Sequence, residues 1–267
     1  MNRERLYLFD TTLRDGALTT GVDFSLDDKR HIAAMLDRLG VDYVEGGYPG
    51  ANPLDTRFFD QKPTRRARFC AFGMTKRAGR STANDPGLAA VLGARASGMC
   101  IVGKSWDFHV DIALGISLEE NLALIRESLA AAARRGEAMF DAEHFFDGYK
   151  ANPDYAVACA KTALEAGARW VVLCDTNGGT LPHEVESIVA EIAKQVPGDQ
   201  LGIHAHNDTE ISIAPGQARR SASDRCRCGG TDRRAAPQRA GARHQNYGRI
   251  EGLAGLRRAD LRCCRPI

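Results

Sequence analysis

The 267 residues are enough for one large domain with a full hydrophobic core. The 36 Lys and Arg residues nearly balance 34 Asp and Glu, so the net charge of +2 excludes a strongly acidic or strongly basic chain as a whole. The start lacks the apolar run of a signal peptide and no apolar stretch is long enough to cross a membrane, so we expect a cytoplasmic protein with no membrane contact.

Seven short apolar runs are predicted as β-strands, and helical patterns lie between many of them. A first helix opens at a capping box that begins with Ser25, and it ends at Gly40. Later helices begin after Ser117, at Asn152 with Pro in the first helical position, and at Pro182. In chain order the predicted strands cover residues 6–10, 41–45, 68–73, 97–103, 138–143, 170–174 and 201–206.

The strands are continuous apolar runs rather than alternating ones, which is typical of a parallel sheet buried on both faces. They recur about every 30 residues with helices between them, so repeated βα units are predicted. We therefore predict an α/β protein, an incomplete (β/α)8 TIM barrel with seven recognisable units. A doubly wound open sheet is the alternative, and it is disfavoured because no Gly-x-Gly-x-x-Gly turn follows any strand.

Charge divides the chain into two parts. Residues 1–210 contain 23 basic and 30 acidic residues, whereas residues 211–267 contain 13 Arg, no Lys and four acidic residues. We predict a catalytic barrel domain over 1–210 and an Arg-rich tail over 211–267 in place of the eighth unit.

Polar side chains follow strand after strand at the predicted carboxyl ends, the face where such barrels carry their chemistry. The last strand ends with His204 and His206, which point to the same side because they are two residues apart, and paired imidazoles bind divalent metals. A packed strand end with hydrogen-bonded histidines is the alternative. The candidates in chain order are Arg14, Asp15, Glu45, Lys104, His109, Glu143, His144, Asp175, Thr176, His204 and His206.

Two stretches resemble a known family. Residues 9–17, Phe-Asp-Thr-Thr-Leu-Arg-Asp-Gly-Ala, resemble the first-strand signature of the metal-dependent barrels that condense or cleave acyl-CoA esters. These include isopropylmalate, homocitrate and citramalate synthases and hydroxymethylglutaryl-CoA lyase. Residues 204–208, His-Ala-His-Asn-Asp, are similar to the metal strand of the same family. Residues 43–53, 102–110 and 144–153 look most like the citramalate synthases, and the resemblance extends over 5–210.

The resemblance implies a pyruvate carboxyltransferase-like catalytic domain with acyltransferase activity. It would condense acetyl-CoA with pyruvate to give (R)-citramalate and CoA, in isoleucine and branched-chain amino-acid biosynthesis. It further implies that Asp15, His204 and His206 hold a divalent metal (Mg, Mn or Zn). Arg14 would stabilise the developing oxyanion with support from Glu45. Glu143 would take part in proton transfer, and Thr176 with Asp175 would bind the keto acid.

Other interpretations remain open. Arg14 alone is also compatible with a surface salt bridge, and Asp175 and Thr176 with capping of the next helix. The alternative activities are an isopropylmalate or homocitrate synthase-like acyltransferase, a hydroxymethylglutaryl-CoA lyase-like enzyme, a two-His-one-carboxylate oxygenase and a truncated pseudoenzyme without activity. Leu18 stands where the family has Gln, which predicts a looser loop around Arg14 and Asp15. Family members are typically homodimers.

The tail departs from the family completely. It lacks the eighth strand and the Gly-Asn-Ala motif whose Asn is a further metal ligand, and its composition is typical of a GC-rich gene read in the wrong frame. We expect a frameshift near codon 210 and a disordered segment. A zinc site at Cys226, Cys228, His244, Cys263 and Cys264 is disfavoured by their spacing. Nucleic acid is an unlikely partner, since Tyr247 is the only aromatic residue there.

Overall fold

A computed structural model describes residues 5–208 of the chain. They form a seven-stranded parallel sheet whose strands follow one another in sequence order. The strands are β1 Phe9–Asp10, β2 Tyr43–Gly47, β3 Arg68–Met74, β4 Gly98–Lys104, β5 Glu137–Glu143, β6 Trp170–Asp175 and β7 Leu201–Ala205.

Helices connect the strands, and the predicted caps determine where several of them begin and end. Ser25 accepts a hydrogen bond from the amide of Asp28 at the start of the first helix, and Gly40 ends that helix with a positive φ of 91°. Asn152 caps the helix that begins at Pro153 in the same way. The helices are α1 Leu26–Leu39, α2 Pro53–Phe58, α3 Pro86–Gly93, α4 Asp107–His109 with a π-helical turn Val110–Leu114, α5 Leu118–Ala133, α6 Phe145–Ala151, α7 Pro153–Glu165 and α8 Pro182–Ile192.

Side chains from distant strands meet inside the curved sheet. The hydroxyl of Tyr43 on β2 donates to Glu137 on β5 at 2.5 Å and accepts a hydrogen bond from the indole N–H of Trp170 on β6 at 2.9 Å. Since strands of a flat sheet cannot meet in this way, the sheet curls around an interior. Eight buried residues fill the interior: Phe9, Tyr43, Cys70, Cys100, Met139, Trp170, Val172 and Cys174.

A second and larger core lies between the outer face of the sheet and the helices, and it includes Val44, Phe69, Ile101, Phe140 and Leu173. Sequential strand order with an interior filled by side chains confirms the barrel class, so the doubly wound alternative is wrong. The eighth unit and the tail 211–267, with its predicted frameshift, disorder and cysteine cluster, lie outside the described residues.

Strand β1 is shorter than predicted. Only Phe9 and Asp10 join the ladder, while Leu6 and Tyr7 are partly exposed before it. After Asp10 the chain leaves the sheet at once, because the amides of Arg14, Asp15 and Gly16 all donate to the carbonyl of Thr11.

Among the described residues, no helix combines the length and the apolar character needed to cross a lipid bilayer.

Candidate active site

The loop after β1 delivers two charged side chains to the carboxyl end of the barrel. Three amide hydrogen bonds to the carbonyl of Thr11, 2.8 to 3.2 Å long, fold this loop into a tight turn. A 3₁₀ turn, Gly16–Leu18, follows, and there Leu18 is 72% exposed. Backbone hydrogen bonds therefore hold the main chain at Arg14 and Asp15, in addition to the contacts that their side chains make.

The predicted metal ligands converge. Asp15 Oδ2 lies 3.2 Å from Nε2 of His204 and 3.6 Å from Nε2 of His206, and the centroids of the two imidazole rings are 5.1 Å apart. The amide of His206 donates to the carbonyl of Asp175 at 3.1 Å, which fixes the end of β7 against β6. Three residues separated by up to 191 positions in sequence thus face one point.

This donor set fits a divalent cation. One carboxylate oxygen and two imidazole nitrogens lie within 4.8 Å of one another. Asp15 Oδ2 is buried and accepts no hydrogen bond of good geometry from the described residues, a costly arrangement for a carboxylate unless a cation is nearby. Mixed oxygen and nitrogen ligation suits Mg, Mn or Zn.

The charges in this cluster support one another. Burial opposes ionisation of Asp15, but His204, His206 and Arg14 outweigh it and hold the pKa of the carboxyl well below its usual range. Burial also opposes protonation of His206, yet its contact with Asp15 raises the pKa of the imidazole. Asp15 is therefore ionised at neutral pH, the state in which a carboxylate binds a metal.

Arg14 is the best-constrained side chain of the site. Its Nε donates to Glu45 Oε2 at 2.7 Å, its Nη1 donates to Asp15 Oδ1 at 3.0 Å, and its guanidinium carbon lies 4.0 Å from the ring centroid of Phe72. Glu45 has no exposed surface, and only 13% of the Arg14 side chain is exposed. The surface salt bridge considered for Arg14 is therefore wrong.

The structure adds a residue that the sequence analysis missed. Asp141 on β5 is 2% exposed and its carboxylate lies within 4.8 Å of donor atoms of His204 and Cys174, and likewise of Glu45 and Cys100. Burial by itself lowers the pKa of Arg14, but Glu45, Asp15 and Asp141 together raise it above its usual value. Asp141 and Glu143 are two residues apart on one strand and share a side, which is the signal that would have identified it.

A second group lies at the ends of β4 and β5. Lys104 Nζ donates to Glu143 Oε2 at 2.5 Å. Beyond them the rings of His109 and His144 meet edge to face with centroids 4.4 Å apart, and Trp106 packs against both. Burial and the neighbouring His144 and Lys104 lower the pKa of His109. Glu143 thus stands beside a fixed cation and two imidazoles.

Thr176 and Asp175 differ in their surroundings. The Thr176 hydroxyl accepts a hydrogen bond from the amide of His144 at 2.9 Å. Both carboxylate oxygens of Asp175 accept hydrogen bonds from Thr180, from its amide and its hydroxyl. Helix α8 begins later, where Glu184 accepts the amide of Leu181 at 2.8 Å. The proposed capping of that helix by Asp175 and Thr176 is therefore wrong.

Comparison with known proteins places this geometry in context. The family model described as HMGL-like matches residues 5–218. The (R)-citramalate synthase of Aquifex aeolicus is 48% identical over 215 residues, which are 79% of this chain and 41% of that protein. A 2-isopropylmalate synthase of Sediminispirochaeta smaragdinae is 31% identical over 216 residues, which are 79% of this chain and 42% of that protein. The chain thus spans about two fifths of the length of these curated relatives.

Solved structures agree on the fold. The hydroxymethylglutaryl-CoA lyase of Pseudomonas aeruginosa superposes with a TM-score of 0.66 at 19% identity, covering 82% of this chain and 73% of that one. The carboxyl transferase domain of Rhizobium etli pyruvate carboxylase superposes with a TM-score of 0.57 at 17% identity, covering 83% and 39%. At these identities the likeness supports the barrel fold alone.

Proposed function

Because the chain belongs to the HMGL-like family, we propose that it is an acyltransferase that condenses acetyl-CoA with pyruvate to give (R)-citramalate and CoA, a step of branched-chain amino-acid biosynthesis. The observation that carries the proposal is the convergence of Asp15, His204 and His206 beside a guanidinium held by Glu45. The names of the relatives that are 46 to 49% identical to this chain supply the substrate pair.

Asp15, His204 and His206 would hold a divalent cation, which supplies Lewis-acid polarisation of the keto group when bound. The residues fit this task because Asp15 stays ionised and the backbone of His206 is anchored to β6. The family resemblance offers Mg, Mn or Zn, all compatible with these donors.

Arg14 stabilises the oxygen that becomes negatively charged. Two of its N–H groups are committed to Glu45 and Asp15, so the guanidinium is aimed before substrate arrives. The remaining N–H donors of the guanidinium are available to a substrate oxygen, and the group itself needs no further reorganisation. Glu45, whose side chain is fully buried, supports this geometry through its ion pair with Arg14.

Thr176 and Glu143 serve the two substrates. Since the Thr176 oxygen accepts from His144, its own proton is directed elsewhere and can be donated to the keto-acid carboxylate. Asp175 contributes by fixing the backbone around it through Thr180. Glu143 takes the methyl proton of acetyl-CoA, directly or through water, and Lys104 stabilises its carboxylate.

The reaction consists of a condensation followed by hydrolysis of the thioester. The methyl carbon of acetyl-CoA loses a proton and bonds to the keto carbon of pyruvate, while the keto oxygen becomes an alkoxide and is protonated to a hydroxyl. Water subsequently cleaves the thioester, which releases CoA and the second carboxylate of citramalate.

A thiol-release assay tests the proposal. We expect the chain with Mn²⁺ or Mg²⁺ to release CoA from acetyl-CoA when pyruvate is present and much more slowly with a branched 2-keto acid. Preference for the branched acid would favour an isopropylmalate synthase-like enzyme instead. Cleavage of hydroxymethylglutaryl-CoA without thiol release from acetyl-CoA would favour a lyase.

A binding measurement separates an intact site from a protein without activity. We expect Mn²⁺ alone to raise the melting temperature of the chain, and the shift to vanish in Asp15→Ala and His204→Ala, because each removes one of three ligands. His183→Ala removes an exposed histidine on α8 and is the matched control. A shift that survives both site variants would refute the proposed ligands.

A further inference from the structure

Lys29 is a buried cation in the first turn of α1. It is 3% exposed, and its ammonium group donates to the carbonyl of Leu13 at 2.8 Å, donates to the carbonyl of Gly46 at 3.1 Å and forms an ion pair with Asp55. These three contacts use all three of its N–H donors. Burying a lysine near the positive end of a helix is unfavourable, so its retention calls for a physical reason.

The two carbonyls belong to the neighbours of functional residues. Leu13 immediately precedes Arg14, and Gly46 immediately follows Glu45. One ammonium group therefore joins the two backbone segments whose side chains form the Arg14–Glu45 ion pair.

The ladder of the sheet does not include the first segment and is interrupted at the second. Strand β1 ends at Asp10, before the loop that carries Arg14. In the β2–β3 ladder the register passes from Glu45 opposite Cys70 to Gly47 opposite Ala71, so Gly46 is the extra residue of a bulge. Lys29 binds the backbone at these two points, where the ladder is short or interrupted.

Gly46 and Gly47 allow Phe69 and Asp55 to pack closely against the end of β2. A Cβ on Gly46 would lie 2.4 Å from the ring of Phe69, and one on Gly47, whose φ is +146°, would lie 2.5 Å from the carboxyl group of Asp55. Asp55 also accepts the amide of Tyr48 at 2.9 Å, which anchors the end of β2 to α2.

We infer that Lys29 is a positioning residue, which holds the loop of Arg14 and the bulge after Glu45 at the separation that their ion pair requires. The kinetic part of this inference rests on the proposed function, whereas the geometric part does not. The competing explanation is a purely structural ion pair, in which Lys29 serves only to neutralise the buried Asp55.

Two variants separate these explanations. Lys29→Met leaves the Asp55 carboxylate buried without its cation and is expected to be poorly stable. Lys29→Met/Asp55→Asn removes both charges and restores neutrality, but it still lacks the ammonium contacts to Leu13 and Gly46. The matched control is Lys76→Met, since Lys76 is 7% exposed and its ammonium contacts Arg80 and Glu127 instead.

The first readout is independent of activity. Hydrogen exchange at the Arg14 Nε–H group, measured by ¹⁵N NMR and assigned with Arg14→Lys, reports the bond to Glu45. We expect exchange at least about tenfold faster in the double variant than in the wild type, with no change in Lys76→Met. Wild-type exchange in a folded double variant would overturn the inference.

The second readout is kinetic. We expect kcat of the double variant to fall about 10- to 100-fold, with KM for pyruvate changed less than about threefold, because Arg14 acts mainly on the transition state. A fall in kcat without faster Nε–H exchange would overturn the inference. If the wild type condenses none of the keto acids but the exchange result holds, the proposed function fails and the positioning role stands.

Discussion

At the scale of single residues, Arg14 shows how geometry restricts chemical choice. Glu45 and Asp15 accept hydrogen bonds at two edges of its planar guanidinium, and the ring of Phe72 packs against that group. Lysine has the same charge but a single tetrahedral nitrogen, so it cannot satisfy Glu45 and Asp15 and still direct donors to a substrate oxygen.

We therefore expect Arg14→Lys to lower kcat by about 100-fold or more, the usual loss for a removed oxyanion donor. The Mn²⁺-dependent rise in melting temperature should persist, because Asp15, His204 and His206 are unchanged. Steady-state kinetics and thermal shift on the same samples check both statements. A variant with near wild-type kcat would show that Arg14 does not stabilise the oxyanion.

Asp10 gives a pH-dependent prediction. It has no exposed surface, and burial raises the pKa of its carboxyl from 3.8 to about 6 despite hydrogen bonds from Thr12. A raised pKa means that the folded state binds the proton more tightly. Its contribution to stability is complete below the unfolded pKa of 3.8 and is lost as pH rises through about 6.

Asp10→Asn should therefore gain stability relative to the wild type as pH rises from 4 to 7, by about 3 kcal/mol for a shift of about two pKa units. Urea unfolding of both proteins at several pH values measures this difference. Parallel pH profiles would show that Asp10 does not titrate differently in the folded state.

At the scale of elements, the end of β2 is the part of the sheet where backbone and site are most closely linked. The bulge at Gly46 interrupts the ladder with β3, and the ring of Phe69 occupies the space where a side chain would lie. The element is thus fitted to one residue type at this position, because even a methyl group would overlap a buried aromatic ring.

Gly46→Ala should lower the free energy of unfolding by about 3 kcal/mol, through overpacking against Phe69. Gly93→Ala is the control, because a Cβ at the end of α3 meets no atom within 4 Å, and there alanine should stabilise slightly. Denaturant midpoints give both values. Equal stability of the two variants would mean that β2 and β3 separate easily to admit the methyl group.

At the scale of the whole molecule, the curvature of the sheet joins β2, β5 and β6 through one hydroxyl group. Tyr43 donates to Glu137 and accepts from Trp170, at the opposite end of the strands from the candidate site. This contact joins the amino end of β2 to the amino ends of β5 and β6, neither of which is its neighbour in the ladder. The cytoplasmic location expected from the sequence stays a prediction at this scale.

Tyr43→Phe should cost about 1 to 3 kcal/mol of stability, because buried Trp170 N–H and part of Glu137 lose their partner. Tyr149→Phe removes the same atom from a half-buried ring stacked on Phe145 and should change stability less. Urea unfolding followed by tryptophan fluorescence measures both. An unchanged urea midpoint for Tyr43→Phe would show that the hydrogen bonds of this hydroxyl add nothing to the stability of the fold.

The local features of this protein could be predicted from short stretches of its sequence. Apolar runs located the strands, Ser25, Gly40 and Asn152 delimited helices, and spacing two apart placed His204 and His206 on one side of a strand. These follow from neighbouring residues, because backbone preference, capping and alternation act over a few positions. Their position after predicted strands made Arg14, Asp15 and Glu45 candidate site residues, and the family resemblance supplied their roles.

Which of these residues meet depends on the folding of the whole chain. Asp15 and His204 are 189 positions apart, and their 3.2 Å contact depends on the curl of the whole sheet. Asp141 is marked in the sequence only by its spacing from Glu143, and Lys29 by nothing, since their roles depend on groups that other segments bring close to them. Sheet curvature is the sum of many small twists, and no short stretch of sequence specifies it.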